Sequence, residues 1–117
     1  MRVTTDTPTI LITGANGFLG SRLCRTFSSR GFTVIAGVRK TADLTLLDGI
    51  PVVYRYGDIT NADTLGEMVV GCDYIIHNAG VVKANKRETF FSVNAGGTRA
   101  ICEAIVRAGV TPLRFVQ

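Results

Sequence analysis

Hydrophobic and polar positions along the chain switch between two periods. Residues 9–13, TILIT, form a short β-branched apolar run that ends at a glycine, which predicts a buried strand. Leu19, Leu23 and Phe27 then recur at helical spacing, with Arg22, Arg25 and Ser29 elsewhere on the wheel and Gly31 as a C-terminal stop. The run FTVIAGV at 32–38 predicts a second strand, 40–48 a short helix, and PVVYRY at 51–56 a third strand. Thr60-Asn61-Ala62-Asp63 resembles a capping box, opening a helix to about Val70, and DYII at 73–76 predicts a fourth strand. Farther on, Val93, Gly97, Ala100, Ile101, Ala104, Ile105 and Ala108 share one helical face, closed by Gly109 and Pro112. LRFVQ at 113–117 predicts a fifth strand. Strands of about five residues alternating with helices predict α/β architecture built from parallel βαβ units.

Composition narrows the function classes. With 117 residues, 46% hydrophobic and 19% charged, the chain suits one domain with a core. The net charge of +4 comes from scattered basic residues, which predicts a solvated surface rather than a nucleic-acid interface. No apolar run approaches the ~18 residues of a membrane helix, and the polar start MRVTTDTPT offers no signal region. Cys24, Cys72 and Cys102 form no C-x-x-C pair, so no metal site is expected; inert thiols in a reducing cytoplasm are.

The chemistry is concentrated at the first strand–helix junction. Gly14, Gly17 and Gly20 stand three apart in ITGANGFLG. The first would allow a sharp turn, the second would let a pyrophosphate approach the backbone, and the third would let the helix pack closely on the sheet. The helix N-terminus would offer unpaired N–H groups to the phosphates.

Thr13-Gly14-Ala15-Asn16-Gly17-Phe18-Leu19-Gly20 resembles the T-G-x-x-G-[FY]-[LIV]-G loop of the extended short-chain dehydrogenases/reductases, the NAD-dependent epimerase/dehydratase family. Gly57-Asp58-Ile59, His77-Asn78-Ala79-Gly80 and Val93-Asn94-Ala95-Gly96-Gly97-Thr98 follow in the family's order. The resemblance implies a Rossmann-type doubly wound parallel sheet of about five strands, in the order 3-2-1-4-5, within one dinucleotide-binding domain over residues 1–117. It implies a nucleotide held by Gly14, Ala15, Asn16, Gly17, Phe18, Leu19 and Gly20. Asp58 and Ile59 would lie near the adenine, and Asn78, Ala79 and Gly80 near the ribose and phosphates. By the residues alone, Asp58 could merely cap a strand, His77 reads as a satisfied core histidine, and Asn94 as structural.

The end of the second strand bears on cofactor choice. It reads Ala36-Gly37-Val38-Arg39-Lys40, with no carboxylate before Asp43. An acid there suits the ribose 2′-OH of NAD, and an arginine the 2′-phosphate of NADP. Arg39 therefore favours NADP over NAD. Family catalysis uses a Ser or Thr past the fifth strand and a Tyr-x-x-x-Lys, but Asp58, Thr60 and Asn78 stand four residues after Tyr54, Tyr56 and Tyr74. The expectation is an amino-terminal NAD(P)-binding portion, cut after the fifth strand, of a sugar-nucleotide epimerase/dehydratase or reductase. It would bind without catalysing and self-associate through the exposed fifth strand and an uncovered sheet face. A non-catalytic nucleotide-sensing or scaffold domain is the alternative.

Overall fold

The computed structural model describes residues 7–58, 61–78, 102–103 and 114–116. In chain order, these form β1 (Thr9–Thr13), α1 (Phe18–Ser29), β2 (Thr33–Val38), a 3₁₀ turn (Thr45–Leu47) and β3 (Val53–Tyr56). A second 3₁₀ turn (Ala62–Thr64) leads into α2 (Leu65–Val69), followed by β4 (Tyr74–His77) and β5 (Arg114–Val116). The five strands form one sheet in the order β3-β2-β1-β4-β5, with every pair parallel. This is the expected order. The chain steps outward from β1 to β3, then returns to the other side of β1, which creates a topological switch point between β1 and β4.

Alternation within the strands divides the core. Ile10, Ile12, Val34, Ala36 and Val38 face the side covered by Cys24 of α1 and by Leu47. Leu11, Ile35 and Ile75 face the other side, under Leu65, Met68 and Val69 of α2. Among the described residues, helices thus pack on both faces of the sheet over β1, β2 and β4, as in a doubly wound sheet; whether the face at β5 is covered lies outside the described residues. Full burial of each large aliphatic side chain is worth about 1.5–3 kcal/mol. Asp73 braces the start of the β1–β4 pair from both sides: its Oδ2 accepts the Thr9 N–H at 2.8 Å, and its own N–H donates to Thr9 O at 2.9 Å.

Several local expectations are corrected. The 40–48 segment contains only the Thr45–Leu47 3₁₀ turn. The Asp43 carboxylate accepts both the N–H and the hydroxyl of Thr45, an alternative to continued helical pairing. Leu19 is not on the buried face of α1: it is 56% exposed, whereas Gly20, Ser21 and Cys24 are buried. The second helix starts at Leu65, later than the proposed capping box implies. Thr60 lies outside the described residues. The Thr64 hydroxyl is engaged with the Asp58 backbone, and Asn61 Oδ1 accepts the Asp63 N–H. β3 begins at Val53, two residues past Pro51, and its ladder to β2 opens at Ile35↔Val53. Of the expected 93–108 helix only Cys102 and Glu103 are described; both are helical and exposed. Asn94 and the neighbouring glycines lie outside the described residues.

Two features position α2. Met68 lies over two glycines: a Cβ at Gly57 would stand 2.5 Å from its Cε, and one at Gly37 3.1 Å from its Sδ. The Arg55 guanidinium donates to the carbonyls of Glu67, Met68 and Val70 at 3.3, 3.1 and 2.6 Å. A cation thereby satisfies carbonyls at the negative end of the helix.

Candidate functional site

Parallel pairing brings the carboxyl ends of four strands to one edge. Thr13 is in register with Gly37 on one side and His77 on the other, and Val38 is in register with Tyr56. The residues that follow these strand ends are Gly14 to Gly17, Arg39, Gly57-Asp58 and Asn78. The sequence-derived candidates are therefore gathered along one rim. Ile59, Ala79 and Gly80 lie outside the described residues.

The three glycines of the first turn have different physical reasons. Gly14 has φ +63°, a left-handed conformation that side-chain-bearing residues adopt only at a cost. A Cβ at Gly20 would fall 2.1 Å from Gly14 O and 2.8 Å from Ala15 Cα, so the fold itself excludes a side chain there. Gly17 has an ordinary φ of −80°, and its nearest atom to a built Cβ is Gly14 O at 3.6 Å. Neither backbone strain nor packing requires glycine at position 17.

Gly17 is also the N-cap of α1. It provides no side-chain cap, and no acidic residue lies in the first helical turn. An effective N-cap side chain is typically worth about 1 kcal/mol, a contribution this helix lacks. The first N–H groups of an α-helix have no intrahelical acceptor, so they remain available at the positive end of the helix dipole. Phe18 and Leu19, 72% and 56% exposed, flank this terminus. Arg22 sits 4.9 Å over the Phe18 ring. The loop is tied to the sheet by the Ala15 N–H, which donates to Gly37 O at 3.4 Å, while Ala15 is buried and Asn16 half-buried.

Arg39 is exposed immediately beyond β2. Asp43, the first acid after it, is committed to Thr45, whose hydroxyl and backbone hydrogen bonds hold its carboxyl below the usual range. Asp58 is half-buried, and its backbone N–H donates to Thr64 Oγ1 at 2.8 Å. His77 is buried, with Nδ1 2.9 Å from Thr13 Oγ1, and burial holds its pKa below the ordinary value. The neutral imidazole fits a structural position at the strand end. Sequence reasoning did not single out Thr13 as a member of this cluster; the two residues meet across 64 positions of chain.

The two buried thiols offer little reactivity, whereas Cys102 is exposed. Cys24 is buried, which pushes its pKa up to about 11. Burial also raises Cys72, with the nearby Arg55 acting in the opposite direction. Among the described residues, no three His, Cys, Asp or Glu side chains group as metal ligands, and no helix is long and apolar enough to cross a membrane.

A parallel, doubly wound sheet with a glycine turn and an open helix N-terminus at its switch point defines a dinucleotide-binding class of protein. The chain belongs to the NAD dependent epimerase/dehydratase family, whose pattern matches residues 10–117. It is 36% identical over 104 residues to sterol demethylase protein B of Methylococcus capsulatus, covering 87% of this chain and 32% of that protein. It is 35% identical over 122 residues to a 3β-hydroxysteroid dehydrogenase/Δ5→4-isomerase of Mycobacterium tuberculosis, covering 97% of this chain and 32% of that protein. The crystal structure of gox2253 superposes with a TM-score of 0.79 at 32% identity, over 90% of this chain and 32% of the other. The chain thus spans about a third of the length of the relatives it matches.

Proposed function

We propose that the chain is the nucleotide-binding portion, one domain over residues 1–117, of an NAD(P)-dependent oxidoreductase. The observation that carries this reading is Gly17: an uncapped helix N-terminus opens at a glycine that the fold does not need. A pyrophosphate placed there would receive the helix N–H groups, and any side chain at Gly17 would stand in its way. Gly14, Ala15, Asn16, Phe18, Leu19 and Gly20 complete the cradle. Asp58 and Ile59 would border the adenine, and Asn78, Ala79 and Gly80 the ribose and phosphates. The bound dinucleotide would supply hydride chemistry; this chain's residues would bind and orient it.

Arg39 favours NADP. It is exposed beside the expected ribose, and the first carboxylate after it is occupied by Thr45. The relative named as a 3β-hydroxysteroid dehydrogenase supports a reaction at an alcohol carbon, and that relative and the one named as a sterol demethylase protein together make a sterol-like substrate one class to test. The family's epimerases and dehydratases make a sugar nucleotide the other substrate class to test. The buried thiols suit a reducing cytoplasm. Tyr54, Tyr56 and Tyr74 lie on β3 and β4, and none precedes a lysine by four residues. The chain alone should therefore bind without turnover.

Calorimetry with ADP-ribose and 2′-phospho-ADP-ribose tests this reading. The phosphorylated ligand should bind about ten- to a hundredfold more tightly, and Arg39→Ala should abolish the difference. Equal affinities would remove the NADP assignment, and no binding of either ligand would remove the nucleotide site.

A further inference from the structure

Charge is distributed unevenly along the chain. Residues 7–42, which supply β1, the glycine turn, α1 and β2, contain Arg22, Arg25, Arg30, Arg39 and Lys40 and no Asp or Glu. Residues 43–78 contain Asp43, Asp48, Asp58, Asp63, Glu67 and Asp73 against one base, Arg55, whose guanidinium is taken up by the end of α2. All five bases of the first stretch are exposed, and among the described residues none is held in an ion pair. Three of them belong to α1: Arg22 and Arg25 lie along it, and Arg30 is its C-cap. A cation at the C-terminal end suits the helix dipole, whereas one near the N-terminal end opposes it, and a helix serving the fold alone would gain from an acid there. Arg22 does the opposite. Long side chains on a helix lean toward its N-terminus, and the Arg22 guanidinium stands 4.9 Å over the ring of Phe18, the first residue of α1. That ring, 72% exposed, holds a cation beside the positive end of the helix.

Fixed charge of this kind acts at a distance. A rise of about 1.5 Å per residue puts the Cα atoms of Arg22, Arg25 and Arg30 about 7.5, 12 and 20 Å along the axis from Gly17. A doubly charged pyrophosphate at Gly17 would feel each cation in inverse proportion to its distance, reduced further by salt. We infer that α1 is an electrostatic guide for the anionic ligand: Arg22, braced on Phe18 and backed by Arg25 and Arg30, draws phosphate to the open helix end through its field and not by touching it. This role differs from that assigned to Arg39, which is a direct contact with one phosphate. The inference rests on the nucleotide reading above.

Calorimetry with ADP-ribose at low and high salt separates a field from a contact. At about 10 mM salt the screening length is about 30 Å, and Coulomb attraction through water makes Arg22→Gln cost about fourfold in affinity, Arg25→Gln about twofold and Arg30→Gln less than about 1.5-fold. The triple variant should lose about tenfold. At about 300 mM the screening length falls to about 6 Å, and the triple variant's loss should shrink to about twofold. Arg22→Lys keeps the charge and should bind within about 1.5-fold of the unaltered chain at either salt. An Arg22→Gln loss that persists undiminished at high salt would show a contact or a local distortion and overturn the inference. Unchanged affinity of the triple variant at low salt would overturn it too, as would an Arg30→Gln loss as large as that of Arg22→Gln. Should the triple variant fail to fold, the three single variants carry the same test through their graded losses. An unaltered chain that binds no ADP-ribose at either salt would refute the nucleotide reading and this inference with it; binding with the wrong salt dependence would refute the inference alone.

Discussion

Gly17 and Gly20 are three residues apart on the same loop, yet their replacement should separate binding from stability. At Gly20 a Cβ would meet Gly14 O at 2.1 Å, Ala15 Cα at 2.8 Å and Gly14 C at 2.9 Å. All three are backbone atoms, so no rotamer change relieves the contact. Gly20→Ala should cost about 1–3 kcal/mol or more, the range for overpacking a close-packed interior. At Gly17 the nearest atom is 3.6 Å from a Cβ, and φ is −80°. Alanine there gains about 0.4–1 kcal/mol by restricting the unfolded chain and loses about 0.5–1 kcal/mol because it is a much poorer N-cap than glycine. The net change in stability should stay within about 1 kcal/mol. On the proposed reading the added methyl would stand in the path of a pyrophosphate, so ADP-ribose affinity should fall by about 1.5–3 kcal/mol, roughly ten- to a hundredfold. Gly17→Val should abolish measurable binding. Urea unfolding and calorimetric titration on the same preparations provide the two readouts. Gly17→Ala that binds as the unaltered chain does, or that loses as much stability as Gly20→Ala, would refute this division of roles.

Arg55→Met should lower unfolding stability by about 1.5–3 kcal/mol, because three carbonyls at the end of α2 lose a charged donor; urea unfolding that matches the unaltered chain would count against the cap. For His77, burial lowers the folded pKa below 6.5, so the unfolded chain binds the proton more readily. Its stability contribution is present above about pH 6.5 and declines as pH falls through that value toward the folded pKa; urea titrations should show this decline reduced in His77→Gln, and identical slopes would exclude His77 as its source. Among the described residues β5 stands at one end of the strand order, and an unpaired strand edge invites pairing with another chain. Light scattering at high concentration should therefore detect dimers or larger species, and a monomer throughout would exclude self-association.

The strands and the glycine turn were legible because each leaves a local mark: short β-branched runs, helical periods between them and glycines at a junction; the strand order came from the family resemblance, since no local run encodes which strands pair. The position of α1's buried stripe was not. Leu19, Leu23 and Phe27 form one apolar row, and Gly20 and Cys24 another beside it. Periodicity favours the larger side chains, but the close approach of Gly20 to the Gly14 carbonyl turns the smaller row inward. Leu23 and Phe27 remain partly buried at the boundary, while Leu19 emerges. Arg55 was hidden for a different reason. Nothing in the surrounding YRY indicates that its side chain will meet carbonyls 12 to 15 residues later; the packing of α2 over β3 creates that contact. The Thr13–His77–Asn78 cluster requires the β1–β4 register, which joins residues 64 and 65 positions apart.

Folding accounts for some residues of this rim and leaves others without a structural reason. Gly14 is accounted for by its positive φ, Gly20 by its contact with the loop, Asp43 by Thr45 and Arg55 by the end of α2. These residues would be useful to this sheet even without a ligand. Gly17 has space for a side chain, Phe18 and Leu19 expose large apolar surfaces, and the helix they open lacks a side-chain cap. Each of these choices gives up some intrinsic stability, through the permissive backbone of glycine or the hydration of apolar surface. They occur together at the carboxyl edge of the switch point rather than being scattered over the molecule. On the proposed reading, a phosphate-bearing ligand with an attached ring system would account for the combination: its anion would use the open N–H groups and the bare position 17, and its rings the apolar surface beside them. A surface serving only the fold would gain from a capping serine or aspartate at Gly17 and from polar side chains at the next two positions.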